Sequence, residues 1–312
     1  MSLSLEQFAE PEPNGEGEGE VAALSPLLRP PRKRGANVIS VFLENKLALV
    51  GAVVLALIAL FCYLGPVFYH TNQVATNLAV SGEAPSASHW LGTDNVGYDE
   101  LGRLMVGGQS SIEIGFAAAA LAGLFGVLWG AISGFFGGIV DSLMMRVVDA
   151  LLAIPALFVL LLMAALIRVN TLNLTLVVAF FAWLVPARLI RGETLSLRAR
   201  EYIQAVRGMG GGATRSIFVH VIPNAIGTIV VNITFQVADA ILVLAALGYL
   251  GFGLPPPAAN WGAMLSQGVG YLYSGYWWLI YPVGGLIIVT VMSLNLIGDA
   301  LRDAFDVRLQ RR

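Results

Sequence analysis

Long apolar runs separated by short polar stretches are the dominant pattern along this chain. A helix needs about 20 mostly apolar residues to cross the hydrocarbon core of a bilayer. Six stretches meet this requirement or come near it, at 47–69, 111–134, 145–167, 172–190, 225–250 and 279–298. A polar turn at 168–173 separates the third from the fourth, because one helix over both would overrun the bilayer. The pattern predicts an all-α, polytopic membrane protein with six transmembrane helices.

Composition points to the same class of protein. Of the 312 residues, 57% are hydrophobic and 12% are charged, and the mean hydropathy is +0.75. Soluble domains carry about 25% charged residues, so a soluble globular protein is excluded. The single cysteine, Cys62, lies in an apolar run and has no partner for a disulfide or a cysteine metal site. We interpret it as a small buried hydrophobe.

The first 36 residues differ from the rest, since they combine Glu, Gly and Pro with basic residues and contain too few apolar residues to form a core. The first long apolar run begins only near Leu47, later than the core of a signal peptide. The predicted divisions are a disordered cytoplasmic tail (1–36), a first transmembrane helix with an outer loop (37–110), and a transmembrane permease core (111–312) with a cytoplasmic loop at 191–224.

Lys and Arg residues set the predicted orientation, because they are retained on the cytoplasmic side of short loops. With the N-terminus inside, the outer segments hold only Arg103 and Arg168 among the 18 basic residues. The outer loops, 70–110 and 251–278, are instead rich in Trp, Tyr, Pro and Gly. We therefore predict that both termini are cytoplasmic.

The cytoplasmic loop at 191–224 has the most informative spacing. Small and polar residues recur every three or four positions over 197–208, which predicts a short helix with one face of small groups. The glycine run at 210–212 stops this helix, and a second short helix over 213–222 ends before Pro223. Because no bulky side chain holds it away, the first helix can sit deep in a groove of another protein.

This loop resembles the EAA loop of ABC importer permeases, which reads Glu-Ala-Ala, three residues, Gly, nine residues, then Ile-x-Leu-Pro. Gln204-Ala205-Val206, Gly210 and Ile222-Pro223 hold these positions with both gaps of the right length, while His220 stands in place of Ile. The run from Arg200 to Arg207 reads Arg-Glu-Tyr-x-x-Ala-x-Arg, a version typical of the oligopeptide/dipeptide/nickel subfamily.

Other segments resemble the same subfamily in the same order, so the resemblance covers about residue 40 to the C-terminus. It implies the type I ABC importer permease fold, and it favours the C-type subunit, which has a single helix before the transport core. The matching segments are His89–Asp99, Arg146–Asp149 followed by Pro155, Leu250–Pro257 and Asn260–Gly262.

The resemblance implies a non-catalytic permease subunit in the plasma (inner) membrane of a prokaryote. It would form half of the path for short peptides delivered by an extracytoplasmic binding protein, beside a sister permease subunit. Two ATP-binding subunits would hold ATP-Mg, with no cofactor in this chain and no nucleic acid as partner. The residues implied in ATPase coupling are Glu201, Tyr202, Gln204, Ala205, Val206, Arg207, Gly210 and Pro223.

Polar residues inside the fifth predicted helix are the proposed path lining, namely Asp239, Asn232 and Gln236. An ionisable group at the depth of Asp239 faces a bundle interior or a water-filled path, and path lining and structural contact remain equally open. Arg146 and Asp149 are three positions apart on a predicted helix, which predicts a structural ion pair near the cytoplasmic interface.

Glycines on the second predicted helix fall partly on one stripe and predict close helix packing; they are Gly123, Gly126, Gly130, Gly134, Gly137 and Gly138. The histidines His70, His89 and His220 lack metal-ligand spacing, so we predict surface or capping roles and no metal site.

Several alternatives remain open at this point. A nickel-chelate or glutathione importer is the alternative for the substrate. A self-contained channel or secondary carrier is the rival class, which would show paired charges deep in several helices or repeated broken helices. A membrane enzyme is a third class, but no His, Glu or Ser cluster supplies a nucleophile and a base.

Overall fold

The computed structural model describes residues 38–71 and 73–309, with side chains up to 306. The predicted tail at 1–36 lies outside the described residues. Within the described part, helices are joined by short loops, and extended pairing is limited to one antiparallel bridge between Thr93 and Asp99. The all-α class is therefore confirmed.

The helices in chain order are α1 (Val38–Glu44), α2 (Lys46–Phe68), α3 (Glu100–Phe136), α4 (Gly138–Leu152), α5 (Ala156–Leu166), α6 (Thr171–Ala182) and α7 (Leu184–Arg198). They continue as α8 (Glu201–Gly208), α9 (Ala213–Arg215), a π-helical turn (Ser216–Val221), α10 (Ile222–Asn224), α11 (Ile226–Leu247), α12 (Trp261–Val269) and α13 (Tyr281–Leu309). A second π-helical turn (Gly248–Phe252) extends α11, and short 3-10 turns lie at Leu78–Val80, Leu272–Ser274 and Trp277–Leu279.

Four helical stretches of the described chain are long and apolar enough to cross a membrane unaided, and two bent helix pairs bring the number of candidate spans to six. The prediction of six spans is confirmed in this sense. The unaided stretches are Lys46–Phe68, Glu100–Phe136, Ile226–Phe252 and Trp277–Asp306.

The start of the second span differs from the prediction, since α3 begins at Glu100 and not at 111. Asp99 caps the helix, because its carboxylate accepts a hydrogen bond of 2.8 Å from the backbone N–H of Gly102. The predicted outer loop at 70–110 is therefore too long. A count of apolar residues misses the first turns of α3, which bury the charged side chains of Glu100 and Arg103.

The third and fourth predicted spans are not straight helices. α4 and α5 are bent by 83° at a break before Pro155, and α6 and α7 by 42° at Trp183. Proline disfavours the helical conformation of the residue before it, which explains the first break. The predicted turn between the two spans is confirmed, with the Asn170 side chain capping α6 through the N–H of Asn173.

The central helix of the bundle is α3. The other helices of this chain bury 56% of its most apolar stretch, compared with 22% of the corresponding stretch of α2. Within the glycine stripe of α3, Gly126, Gly130 and Gly134 face α7, whereas Gly123 faces Ile233 of α11 and Gly137 and Gly138 lie beyond the end of α3. A Cβ atom built on Gly130 would lie 2.4 Å from the Ala187 carbonyl oxygen, and one built on Gly134 would lie 2.8 Å from the Arg191 carbonyl oxygen. The close packing predicted from the stripe is therefore confirmed for the contact with α7.

The segment 89–99 packs against the N-terminal end of α3. The Asp99 carboxylate accepts a hydrogen bond of 2.8 Å from the Tyr69 hydroxyl and lies 2.9 Å from Nδ1 of His89. Burial, and after it this hydrogen bond, raise the pKa of Tyr69 to about 12. His89 is thus tied to the helix cap, in line with its predicted capping role, and Cys62 is buried as predicted.

Candidate functional site

The segment 197–208 of the loop at 191–224 is divided between two helices where the spacing predicted one. α7 runs on to Arg198, the chain turns at Ala199 and Arg200, and α8 covers Glu201–Gly208. A continuous helix over 197–208 is therefore wrong, whereas the predicted stop is confirmed. Gly210 has a φ of +84°, a left-handed conformation that ends helices and favours glycine.

Most of the predicted coupling residues on α8 are exposed and lie on its solvent-facing side. Glu201, Gln204, Ala205 and Arg207 are exposed, and Tyr202 has 40% of its surface open. Val206 is half-buried, and the predicted coupling residues Gly210 and Pro223 are both exposed. The structure thus brings the predicted residues of α8 together on one accessible surface.

Ile203 is the residue that the sequence prediction missed. It is the one buried residue of α8, with 0% of its surface exposed. Its side chain belongs to an apolar cluster, here called the coupling cluster, to which α3, α7, the first π-helical turn and α11 all contribute. The other buried members of the coupling cluster are Val127, Ala131, Phe135, Ile190, Leu197, Ile217, Val221, Ala225 and Ile229.

A signal for Ile203 was present in the sequence, because it is the largest aliphatic residue of α8. The rings of Tyr202 and His220 give α8 a second contact, with 6.5 Å between their centroids in an edge-on arrangement. α8 is therefore attached to the bundle by Ile203 on one side and by this ring pair beside it.

The second half of the loop is a nearly continuous helical segment, so the predicted end before Pro223 is wrong. Ala213–Arg215, the π-helical turn and Ile222–Asn224 follow one another without a break. Pro223 lies in the first turn of α10, where a missing backbone N–H is tolerated.

Ion pairs join α4 to α7 beside the coupling cluster. Both Asp141 oxygens accept from Arg191, at 2.5 Å from Nε and 2.6 Å from a terminal nitrogen. The Ser133 hydroxyl of α3 donates to the same carboxylate at 2.5 Å. The predicted pair of Arg146 with Asp149 is wrong, since Asp149 instead pairs with Arg188 at 2.5 Å.

Arg198, at the end of α7, holds the end of α3. One of its terminal nitrogens donates to the carbonyl oxygens of Gly134 and Phe135, at 2.9 and 3.1 Å. Cations are favoured at such a helix C-terminus, where carbonyl groups lack helical partners. The Arg207 guanidinium of α8 lies 5.5 Å from the centre of the Phe135 ring, so α3, α7 and α8 meet at this point.

The predicted path residues lie on α11 but not in one cavity. Asn232 lines a cleft of about 360 Å³ to which Arg302 and Asp306 of α13 also contribute. Gln236 is buried in the bundle, and Asp239 is exposed on its surface. The structure therefore places the three residues in three different surroundings, and their role in a path stays a prediction.

Comparison with known proteins gives two family matches. The family described as binding-protein-dependent transport system inner membrane component matches residues 126–311. The family described as N-terminal TM domain of oligopeptide transport permease C matches residues 34–85. The loop, the broken helices and the ion pairs between α4 and α7 all lie within the first match.

Individual relatives extend over most of the chain. The oligopeptide transport system permease protein OppC of Bacillus subtilis (strain 168) is 41% identical over 270 residues, which cover 86% of this chain and 88% of the relative. The dipeptide transport system permease protein DppC of the same organism is 34% identical, covering 86% and 84%. DppC of Alkalihalophilus pseudofirmus is 35% identical, covering 86% and 88%.

Proposed function

Because the chain belongs to the family of binding-protein-dependent transport system inner membrane components, we propose that it is the C-type permease subunit of an ATP-driven peptide importer. It forms half of the translocation path, and a sister permease subunit forms the other half. An extracytoplasmic binding protein delivers the substrate. Two ATP-binding subunits carry ATP-Mg and perform the hydrolysis, so this chain is a non-catalytic subunit that requires no cofactor of its own.

The observation that carries this proposal is the two-sided construction of α8. Its solvent-facing side presents small and charged residues to a partner. Its opposite side inserts Ile203 into the coupling cluster. A force on the solvent-facing side of α8 therefore passes into the bundle through a close-packed contact. ATP binding shifts the bundle only by its differential affinity for two states, and a rigid contact transmits that difference.

Short peptides are the proposed substrate class, because relatives over most of the chain are named oligopeptide and dipeptide permeases. A nickel chelate or glutathione is the alternative. The ligand retained by the purified partner binding protein distinguishes these classes, and recovery of nickel or glutathione in place of peptides overturns the peptide assignment.

The proposed location is the plasma (inner) membrane of a prokaryote, with both termini and α8 on the cytoplasmic side. In this orientation the arginines at the α7–α8 end face the cytoplasm, in agreement with the retention of positive charge on that side. The segment 89–99 then lies outside, where it meets the binding protein. Asn232, Gln236 and Asp239 of α11 are the proposed contributors to the path.

Co-purification and uptake test the proposal together. Tagged protein extracted in mild detergent is expected to bring down a sister permease and two ATP-binding subunits. Reconstituted with them and with the binding protein, it is expected to take up peptide only when ATP is present on the side of α8. Extraction of the chain without any ATPase, or uptake that proceeds without ATP, contradicts the importer function.

Substitution of Gly210 tests the end of α8 specifically. A Cβ atom there meets nothing of this chain within 4 Å, so any effect within the chain comes from the backbone conformation at φ +84°, and Asn controls for an added side chain at the partner surface. A β-branched residue in this conformation costs roughly 1–2 kcal/mol, and Gly210→Val is expected to lower ATP-driven uptake by about ten-fold. Gly210→Asn is the control, since asparagine adopts this conformation readily. Equal uptake by both variants contradicts the prediction.

A further inference from the structure

The cytoplasmic end of α3, with α4, α7 and α8, is joined by charged hydrogen bonds that cross between helices far apart in sequence. Asp141 of α4 binds Arg191 of α7 through two parallel hydrogen bonds and also accepts from Ser133 of α3. Charge-assisted, two-pronged pairs of this kind are among the stronger polar contacts and also fix orientation. One carboxylate thus holds three helices in register.

A second ion pair joins the same two helices one turn earlier in α7. Asp149, near the end of α4, pairs with Arg188 at 2.5 Å. From Asp141 to Asp149 along α4, the partners run backwards from Arg191 to Arg188, so α4 and α7 lie antiparallel at this contact. Because this second pair is mostly exposed and worth little, the Asp141–Arg191 pair is the main attachment of α4 to α7.

The connection of α4 to α5 is different in kind. The helix breaks after Leu152, bends by 83°, and resumes at Ala156. Pro155 supplies no backbone N–H there. Breaks of this type are where helices absorb changes in angle, since a few residues at the ends of elements take up the change in backbone torsion. The segment 138–166 therefore bends most easily at the break between α4 and α5. The contact between α4 and α7 is firmer, because charged hydrogen bonds hold it.

We propose that α4 moves as one body with α7 and α8, and that the Asp141–Arg191 pair carries the movement of α8 to the break between α4 and α5. This inference rests on the proposed coupling function and adds to it two positioning residues and a hinge. α8 follows α7 after two residues, and Arg198 secures the end of α3 to the same body. A displacement of α8 is thereby converted into a change of the angle between α4 and α5.

The two ion pairs differ in burial, and this difference supplies a matched control. The side chain of Asp141 is 12% exposed and that of Arg191 is 35% exposed, whereas Asp149 and Arg188 are 58% and 53% exposed. Loss of one partner costs more at a buried pair than at an exposed one. The same substitution at Asp141 and at Asp149 therefore compares a strong link with a weak one in the same helix.

The first experiment uses the reconstituted complex with its binding protein and measures peptide uptake and ATP hydrolysis together. Asp141→Asn is expected to lower the number of peptides taken up per ATP by about ten-fold, within the usual range of coupling between sites, while ATP hydrolysis continues. Asp149→Asn is expected to keep the wild-type ratio within about two-fold. A wild-type ratio in Asp141→Asn overturns the proposal. Wild-type complex that shows no ATP-driven uptake overturns the proposed function instead.

The second experiment needs no substitution in the ion pairs and so decides the question if Asp141→Asn fails to fold. Spin labels are attached to cysteines at exposed positions, in a Cys62→Ala background, and their distances are measured with and without bound ATP. The distance between Arg146→Cys and Ser196→Cys, on α4 and α7, is expected to stay constant. That between Arg146→Cys and Leu162→Cys, across the break, is expected to change. A change between α4 and α7 as large as that across the break overturns the proposal.

Discussion

Replacing Ile203 by alanine is expected to separate ATP hydrolysis from transport in the assembled complex. The side chain is fully buried in the coupling cluster, and the removal of a buried isoleucine to alanine costs about 2–5 kcal/mol. α8 has eight residues and no other buried side chain, so the loss falls on its attachment to the bundle. Partner subunits would still bind and hydrolyse ATP, but peptide uptake should fall by at least about ten-fold.

The measurement is uptake and ATP hydrolysis in proteoliposomes, with hydrogen exchange of the α8 amides as a direct report of detachment. Ile203→Val is the graded control, with an expected cost of about 0.5–1.5 kcal/mol and a smaller loss of uptake. Met209→Ala removes an apolar side chain that is 80% exposed at the end of the same helix, and it should leave both activities unchanged. Wild-type uptake by Ile203→Ala contradicts a coupling role for the buried side.

Replacing Gly130 by alanine is expected to destabilise the whole bundle. The added Cβ would lie 2.4 Å from the Ala187 carbonyl oxygen and 2.8 Å from the Arg191 backbone nitrogen. Backbone atoms in a helix cannot rotate away as side chains do, so α3 and α7 must move apart. Overpacking costs about 1–3 kcal/mol and sometimes more, and here it also strains the Asp141–Arg191 pair that depends on this spacing.

The midpoint of heat-induced aggregation in detergent, followed by fluorescence-detected size exclusion, is the measurement for this prediction. Gly192→Ala is the matched control on the facing helix, because a Cβ there meets nothing within 4 Å. Alanine is favoured over glycine in a helix by about 1 kcal/mol, so this control should be as stable as the wild type or more so. Equal midpoints for the two variants contradict the close contact of α3 with α7.

The apolar runs were sufficient to predict the helical class, the number of spans and their centres. The cost of burying polar groups in a bilayer acts on every residue of a span, so this information is spread over each run and survives local exceptions. The start of α3 was missed because the prediction relied on apolar runs. Its first turns extend beyond any apolar run, and a cap at Asp99 together with contacts to distant loops stabilises them.

The loop at 191–224 was predictable where its signals are local. A glycine with positive φ ends a helix wherever it occurs, so the stop after Gly208 followed from the glycine run at 210–212. The turn at Ala199 and Arg200 and the burial of Ile203 were not predicted. The aliphatic side chain of Ile203 marks an apolar position, but the turn and the cluster that buries Ile203 depend on where α3, α7 and α11 meet, which the spacing within one loop does not reveal.

The ion pairs show most directly the difference between what local sequence patterns predict and what helix packing decides. Spacing on one helix predicted a pair of Arg146 with Asp149, whereas the actual partner of Asp149 lies 39 positions away and that of Asp141 lies 50 positions away. Helical periodicity brings side chains of one helix within reach of each other, but it says nothing about which side chains of another helix lie close by. That proximity arises only when α4 packs against α7, so the sequence pattern sets which segments are helices, and helix packing sets which charges hold them together.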